Sequence, residues 1–380
     1  MTVSLRHAAG SLLVVGLGGT ELTGLERAWL KLVRPAGIIL FRRNIADARQ
    51  TRALLDDAAR LGSANSLRCV DVEGGTVDRL RDALASIPSA QAVARAALSP
   101  ANARKSLKHP LPNLARQHGQ LIGQAVKAFG FNTTLAPVLD VGLPESAEVM
   151  GTRTAAATAA GVVEYARGFL GGLAAQDVVG CGKHFPGLGG GTRDSHLETP
   201  AIMRTQRELD RTDLVPYREL RDELPMVMVN HAAYPATPGK TRPASVSPYW
   251  MTTVLRRRIG YRGIVFSDDL EMGGILKFMP IENAVVEAVR AGMDLMEICH
   301  SPELILRAYE ALIAEGERSA VFRKRLLTQA KKTARLRAKL FAGSNPKALS
   351  EKQFEALQTR ILRFGETIAK SQPAAEAQIR

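Results

Sequence analysis

The sequence predicts an α/β protein folded as a (β/α)8 TIM barrel: one catalytic domain with an added C-terminal helical tail. Three observations lead there. Eight short β-type apolar runs alternate with helical patterns along the 380 residues. Most of the runs are continuously apolar, as expected of parallel strands covered on both faces. Polar or ionisable residues gather at the C-terminal ends of the runs: Asp71, Asp140, His184, His231, Asp268 and His300. A barrel draws such residues from many strands to one mouth. A doubly wound open sheet, the competing architecture, would concentrate them at a switch point.

The first run, 12–16, is Leu-Leu-Val-Val-Gly after Arg6. It is short and lacks a convincing cleavage site, so it reads as a strand rather than a signal peptide. Gly16-Leu-Gly-Gly19 follows it but lacks the Lys-Ser/Thr of a phosphate loop. Runs 37–41 and 67–71 come next, separated by helical spacing over 46–61. The stretch 81–129 is longer than one crossover needs and predicts an extra helix and a loop around His109-Pro-Leu-Pro112. Run 134–138, a helix over 156–173 and run 178–183 follow. After the glycine-rich stretch come a helix over 204–224 and runs 226–231, 263–268 and 294–299, then a helix over 302–313. From 342 the chain is polar with helical spacing of Phe354, Leu357, Ile361 and Phe364, which predicts a tail packed on the outside of the barrel. The expected division is 1–341 for the barrel and 342–380 for the tail, its last residues disordered.

Composition excludes several classes. Aromatics are 5%, too few for base-stacking platforms, and no nucleic-acid motif is present. The net charge of +14 is concentrated in Arg256-Arg-Arg258, Arg323-Lys-Arg325 and 331–339. The last two clusters have helical apolar spacing and read as solvated helix faces. Cys69, Cys181 and Cys299 lie in apolar runs without metal spacing, so they read as reduced core residues of a cytoplasmic protein. No run reaches membrane-spanning length.

The chemistry concentrates in Lys183-His-Phe-Pro-Gly-Leu-Gly-Gly-Gly-Thr-Arg-Asp-Ser-His196, a glycine-rich loop carrying ionisable groups. Asp194 precedes His196 by two and can hold its imidazole in one tautomer, which suits a general acid/base; a plain loop hydrogen bond is the other reading. Ser195 lies on no nucleophile elbow. The run 263–268 ends in Asp268 and Asp269, which point in opposite directions on an extended chain, so one faces the mouth and either could cap the next helix. After run 67–71, Asp71 and Arg79 flank a Gly74-Gly75 turn. Asp71 can accept from sugar hydroxyls, Glu73 is a further carboxylate, and Arg79 is either a ligand or a surface cation. His184, His196, Asp194 and His231 fit no zinc signature, and Lys183 beside His184 disfavours a cation, so neither metal nor cofactor is expected.

Together these pieces resemble the single-domain bacterial β-N-acetylglucosaminidases (β-N-acetylhexosaminidases) of glycoside hydrolase family 3, which trim cell-wall fragments. The resemblance covers roughly 12–299. It rests on an ordered set: Gly-Ile-Ile-Leu-Phe-Arg-Arg-Asn44, Asp-Val-Glu-Gly-Gly75, Ala-Pro-Val-Leu-Asp-Val141, Lys-His-Phe-Pro-Gly187, Asp-Ser-His196 and Phe-Ser-Asp-Asp-Leu270. It implies Asp268 as nucleophile, His196 as acid/base with Asp194 as its partner, and Asp71, Arg79, Arg153, Lys183 and His184 as the sugar-binding set. It also implies a retaining exo-β-N-acetylglucosaminidase acting on muropeptide fragments in the cytoplasm, working as a monomer on a carbohydrate substrate, without nucleic acid or membrane. Three positions depart from the family pattern: Leu188 stands where a histidine is expected, Thr76 where an arginine is, and Arg153 is followed by Thr-Ala. With Gly190 in the same loop, these bear on loop closure and substrate preference. A phosphorylase, or a sugar-binding homologue without turnover, are the alternative functions.

Overall fold

A computed structural model describes residues 4–98, 110–191, 199–341 and 347–371. Eight parallel strands close into a barrel: β1 (Leu13–Gly16), β2 (Gly37–Leu40), β3 (Leu67–Val70), β4 (Thr133–Thr134), β5 (Val179–Phe185), β6 (Met226–Val229), β7 (Ile264–Asp269) and β8 (Leu295–Ile298). Each strand pairs with its sequence neighbours, and β1 with β8 closes the ring at Val14 opposite Glu297. Each of the eight apolar runs contributes one strand. β4 is shortest because Pro137 has no amide to donate, yet pairing continues beyond it. Cys181 donates to the Ala136 carbonyl at 2.8 Å and Leu139 to the Lys183 carbonyl at 2.6 Å.

Side chains two apart along the strands fill the interior, among them Ile39, Cys69, Leu135, Cys181, Met228 and Phe266. In the outer layer, α1 (Gly24–Val33) follows β1 and α2 (Ala48–Leu61) follows β2, after a short helix Leu5–Gly10 ahead of the barrel. α1 starts on a capping box in which Thr23 accepts from the Glu26 amide while the Glu26 carboxylate takes the Thr23 amide. The same carboxylate takes the Gly18 amide at 2.8 Å, so the glycines after β1 are anchored to the protein's own anion. α3 (Pro110–Ala128) and α4 (Ala159–Ala174) pack side by side. Pro110 and Pro112 open α3, where a proline's missing amide costs nothing, rather than lying in the expected loop. The extra helix expected in 81–129 is Ala90–Ala97.

The helix expected over 204–224 is two short ones, α5 (Gln206–Arg211) and α6 (Val215–Glu219). Thr212 leaves helical geometry at φ −131° and ψ −80°, and Pro216 starts the second piece. α7 (Tyr249–Ile259) is wound as a π-helix, α8 (Ile281–Ala291) precedes β8, and α9 (Pro302–Arg318) extends past the expected end. α10 (Ala320–Phe341) carries the basic stretch 331–339. That stretch is not wholly solvated. Arg337 is buried, its guanidinium bonding the Ala36, Ala64 and Asn65 carbonyls, and Lys332 pairs with buried Asp294 at 2.8 Å. α11 (Glu351–Lys370) lays Leu357, Ile361, Phe364 and Ile368 into the core, as the tail's spacing predicts.

Candidate active site

The C-terminal ends of the strands surround a cavity of about 470 Å³. Asp71, Arg79, Arg153, Lys183, His184 and Asp268 all line it, so six of the eight sequence-predicted site residues meet in one place. Asp194 and His196 lie outside the described residues. A larger cavity of about 850 Å³, lined by Lys127, Glu223, Arg262 and Leu336, touches none of the predicted residues.

Each position follows from local structure. Asp71 directly follows β3, and the chain then turns back in a hairpin, Val72–Gly74 against Val77–Asp78. Gly74 and Gly75 hold φ of 85° and 65°, and a side chain on Gly74 would meet the Pro88 carbonyl at 2.1 Å. The turn brings the Arg79 amide to the Asp71 carbonyl at 3.1 Å and its guanidinium within 3.9 Å of the Asp71 carboxylate. The guanidinium also lies 5.7 Å from the Phe41 ring centroid. β5 delivers Lys183 and His184, and its pairing with β6 shifts register between Gly182 and Phe185.

A buried ionic network fixes the polar wall. Lys183 Nζ donates to Asp71 at 2.8 Å and lies 2.7 Å from Glu73 Oε1. Arg153 grips Glu73 in a two-pronged contact at 2.9 and 2.8 Å and reaches His184 Nε2 at 3.3 Å. Burial alone would raise the Glu73 carboxyl, but Arg153 and Lys183 outweigh it and hold it far below the ordinary range. Burial likewise opposes the Lys183 charge, and Asp71 and Glu73 overcome it, raising its pKa. His184 donates from Nδ1 to Asp140 at 2.7 Å, which leaves Nε2 as the acceptor for Arg153. The same Asp140 carboxylate, fully buried, takes the His184 and Leu188 amides. Leu188 therefore lines the pocket instead of a polar group, held by its backbone.

The choice between Asp268 and Asp269 resolves geometrically. Asp268 lines the cavity; Asp269 accepts the Glu271 amide at 3.0 Å and so caps the turn after β7. Burial raises the Asp268 carboxyl, yet His184, His231 and Lys183 exceed that effect, and the net shift is downward. Both His231 nitrogens are taken, by Ser245 at 2.7 Å and the Asp269 carbonyl at 2.9 Å, which makes it a support for the strand end. Among the described residues one group has cation-ligand spacing, Asp269, Cys299 and His300. There His300 Nδ1 already pairs with Glu271 at 2.9 Å, and the Arg43 guanidinium bonds the Cys299 carbonyl at 2.7 Å.

Sequence reasoning named Asp140 and Glu73 without giving them their supporting parts, and it passed over Asn230, Tyr234 and Glu297. Asn230 and Tyr234 hold the loop after β5 through the His184 and Gly187 carbonyls at 3.0 and 2.8 Å. Glu297 had one visible signal, a lone charge inside an otherwise apolar run.

Residues 4–336 match the family model described as glycosyl hydrolase family 3 N terminal domain. The chain belongs to this family. It is a glycoside hydrolase. A beta-hexosaminidase of Alkalilimnicola ehrlichii is 38% identical over 77% of this chain and 82% of its own length. One of Stenotrophomonas maltophilia is 34% identical over 79% and 87%. Among solved structures, a family 3 beta-N-acetylglucosaminidase from Paenibacillus superposes with a TM-score of 0.81 at 30% identity, over 95% of this chain and 68% of its own. NagZ from Neisseria gonorrhoeae, in complex with N-trifluoroacetyl-D-glucosamine, gives 0.75 at 27% over 96% and 98%. No helix of the described residues is long and apolar enough to cross a membrane.

Proposed function

We propose that the protein is a retaining exo-β-N-acetylglucosaminidase. It releases terminal N-acetylglucosamine from the non-reducing end of β-linked glycans, muropeptide fragments among them, in the cytoplasm. The observation that carries this reading is the convergence of ionised Asp268 with Asp71, Arg153, Lys183 and His184 around one cavity. A depressed pKa keeps Asp268 a carboxylate, as a nucleophile must be. Asp71 is oriented to accept from sugar hydroxyls, and Arg153 and Lys183 supply donors held rigid by Glu73, with His184 fixed beside them by Asp140. The relatives' names support the sugar class.

In the proposed reaction Asp268 attacks the anomeric carbon while His196, partnered by Asp194, protonates the departing glycosidic oxygen. The glycosyl–enzyme ester is then hydrolysed by a water that His196 deprotonates, returning Asp268 as carboxylate with net retention. Residues 1–341 serve as the catalytic domain and 342–380 as its brace, in a monomer that needs no cofactor.

The test is release of p-nitrophenol from p-nitrophenyl N-acetyl-β-D-glucosaminide. Asp268→Ala and His196→Ala should each lower kcat at least about a hundredfold. A 2-deoxy-2-fluoro analogue should label the peptide containing Asp268. Wild-type rates in both variants, or a label on another peptide, would sink the assignment. Added phosphate should leave the rate unchanged; a glycosyl phosphate product would make the enzyme a phosphorylase instead.

A further inference from the structure

One carboxyl of the pocket has no part in the chemistry above. Glu297 lies mid-strand in β8, and the residues two before and two after it, Leu295 and Cys299, belong to the barrel interior. The period of two turns Glu297 inward with them. Leu135, Met228 and Glu297 come from strand runs β4, β6 and β8 and line the cavity together. Barrel interiors stack side chains from alternate strands in layers, and such layers are normally apolar. Two members of this one obey the rule, and the third is a carboxyl only 3% exposed.

The side chain is held at one end and free at the other. Oε1 accepts from the Cys299 thiol at 2.9 Å. Oε2 has no hydrogen-bond partner among the described residues. The backbone is pinned on both sides, by the Ser267 hydroxyl at 3.0 Å and the Leu270 amide at 2.9 Å. Facing groups are Asp71 beyond β3, Asp268 and Asp269 on β7, and the thiols of Cys69, Cys181 and Cys299. The nearby cation, Lys183, is engaged by Asp71 and Glu73. Burial pushes the Glu297 carboxyl well up and the surrounding carboxylates push it further. Both causes favour the protonated form, which can donate as well as accept.

A buried polar atom without a partner is costly, and a ligand group that supplies one removes that cost on binding. In an exo-acting pocket the aglycone departs through the mouth. The edge of the ring remote from the anomeric carbon, with its 4- and 6-hydroxyls, then meets the floor. We propose that Glu297 is a specificity-determining residue whose free Oε2 pairs with one of these hydroxyls of the terminal sugar. The inference rests on the glucosaminidase reading above and assigns the floor of the same site. A site built to bond a hydroxyl rejects the analogue lacking it far more strongly than an apolar floor can.

The experiment compares kcat and KM for p-nitrophenyl N-acetyl-β-D-glucosaminide and its 4-deoxy and 6-deoxy analogues, using wild type, Glu297→Leu and Glu297→Gln. Wild type should lose at least about tenfold in kcat/KM on one deoxy analogue. Glu297→Leu should lose a similar factor on the parent and no longer distinguish it from that analogue. Glu297→Gln keeps a donor and an acceptor and should recover most of the discrimination, which a purely structural role would not produce. A Leu variant that keeps the wild-type preference ratios overturns the inference. Should that variant fail to fold, the wild type decides alone: equal rates on all three glycosides overturn it. A wild type inactive on the parent glycoside overturns the glucosaminidase reading and this inference with it, whereas activity without discrimination overturns this inference only.

Discussion

Asp268 and Glu297 are carboxyls of one pocket whose surroundings drive them in opposite directions. Asp268 faces His184, His231 and Lys183 and is held low; Glu297 faces carboxylates and thiols and is held high. Pushing two titratable groups apart in this way favours the anion at Asp268 and the protonated form at Glu297. The downward shift of Asp268 has a kinetic consequence. In the proposed mechanism Asp268 attacks as a carboxylate, so its protonation sets the acid limb of kcat/KM in the free enzyme. With a folded-state pKa below the ordinary aspartate value of about 3.9, the limb should have its midpoint below that pH. Rates measured downward from pH 7, with folding monitored by circular dichroism at each point, check this. A midpoint at pH 5 or above would mean that the groups beside Asp268 do not act on it as the geometry requires. Little of this electrostatic setting was legible in the sequence. Alternation along the chain left Asp268 and Asp269 equivalent; the cavity beside Asp268 and the Glu271 amide on Asp269 separate them.

The elements themselves were far more readable. Continuous apolar runs became strands because a parallel barrel strand is buried on both faces, and the eight runs needed no long-range information to be seen. The helix over 204–224 failed for an equally local reason. Its apolar spacing continues across the break, but Pro216 has no amide and Asp213 turns inward to pair with Arg204 at 3.1 Å. Asp213 then packs against Gly187, where a side chain would come within 2.6 Å of it, so the break shapes the loop carrying the site. Gly16 shows the same coupling at the barrel seam. Its glycine-rich neighbourhood lacks the residues of a phosphate loop, and Glu26 occupies the Gly18 amide while Gly16 lies against β8. A Cβ there would sit 1.8 Å from the Cys299 carbonyl oxygen. Gly16→Ala should therefore cost about 3 kcal/mol or more by forcing β1 and β8 apart. The urea midpoint at unchanged m-value reads this directly. Because Cys299 bonds Glu297, kcat/KM should fall as well; an alanine variant with the wild-type midpoint would show that the seam tolerates the displacement.

At the scale of the whole molecule, the tail and the site are joined through one wall. α11 covers α3, with Phe364 stacked on His118 at 6.0 Å and Phe354 against Phe129 at 6.0 Å. His118 is buried, its pKa lowered to about 3 by that burial, and it bonds Tyr165 at 2.8 Å. On its other side it lies 3.0 Å from where a Gly74 side chain would begin, next to Glu73. Gln358 also bonds the Leu84 carbonyl at 2.9 Å, near Ile87, whose carbonyl takes the Gly75 amide. The tail thus backs the hairpin that aims Glu73 at Arg153 and Lys183. Ending the chain at Phe341 uncovers the apolar surface beneath Leu357, Ile361, Phe364 and Ile368. Each such side chain contributes on the order of 1.5–3 kcal/mol of burial, partly offset by the entropy of ordering the helix. For a chain of this size the net loss should lower Tm by more than about 5 °C. It should also raise KM for the aryl glycoside more than it lowers kcat, because the hairpin positions the proposed sugar contacts and not Asp268. Calorimetry and steady-state kinetics on the shortened chain test both; an unchanged Tm with unchanged KM would reduce the tail to a passive appendage.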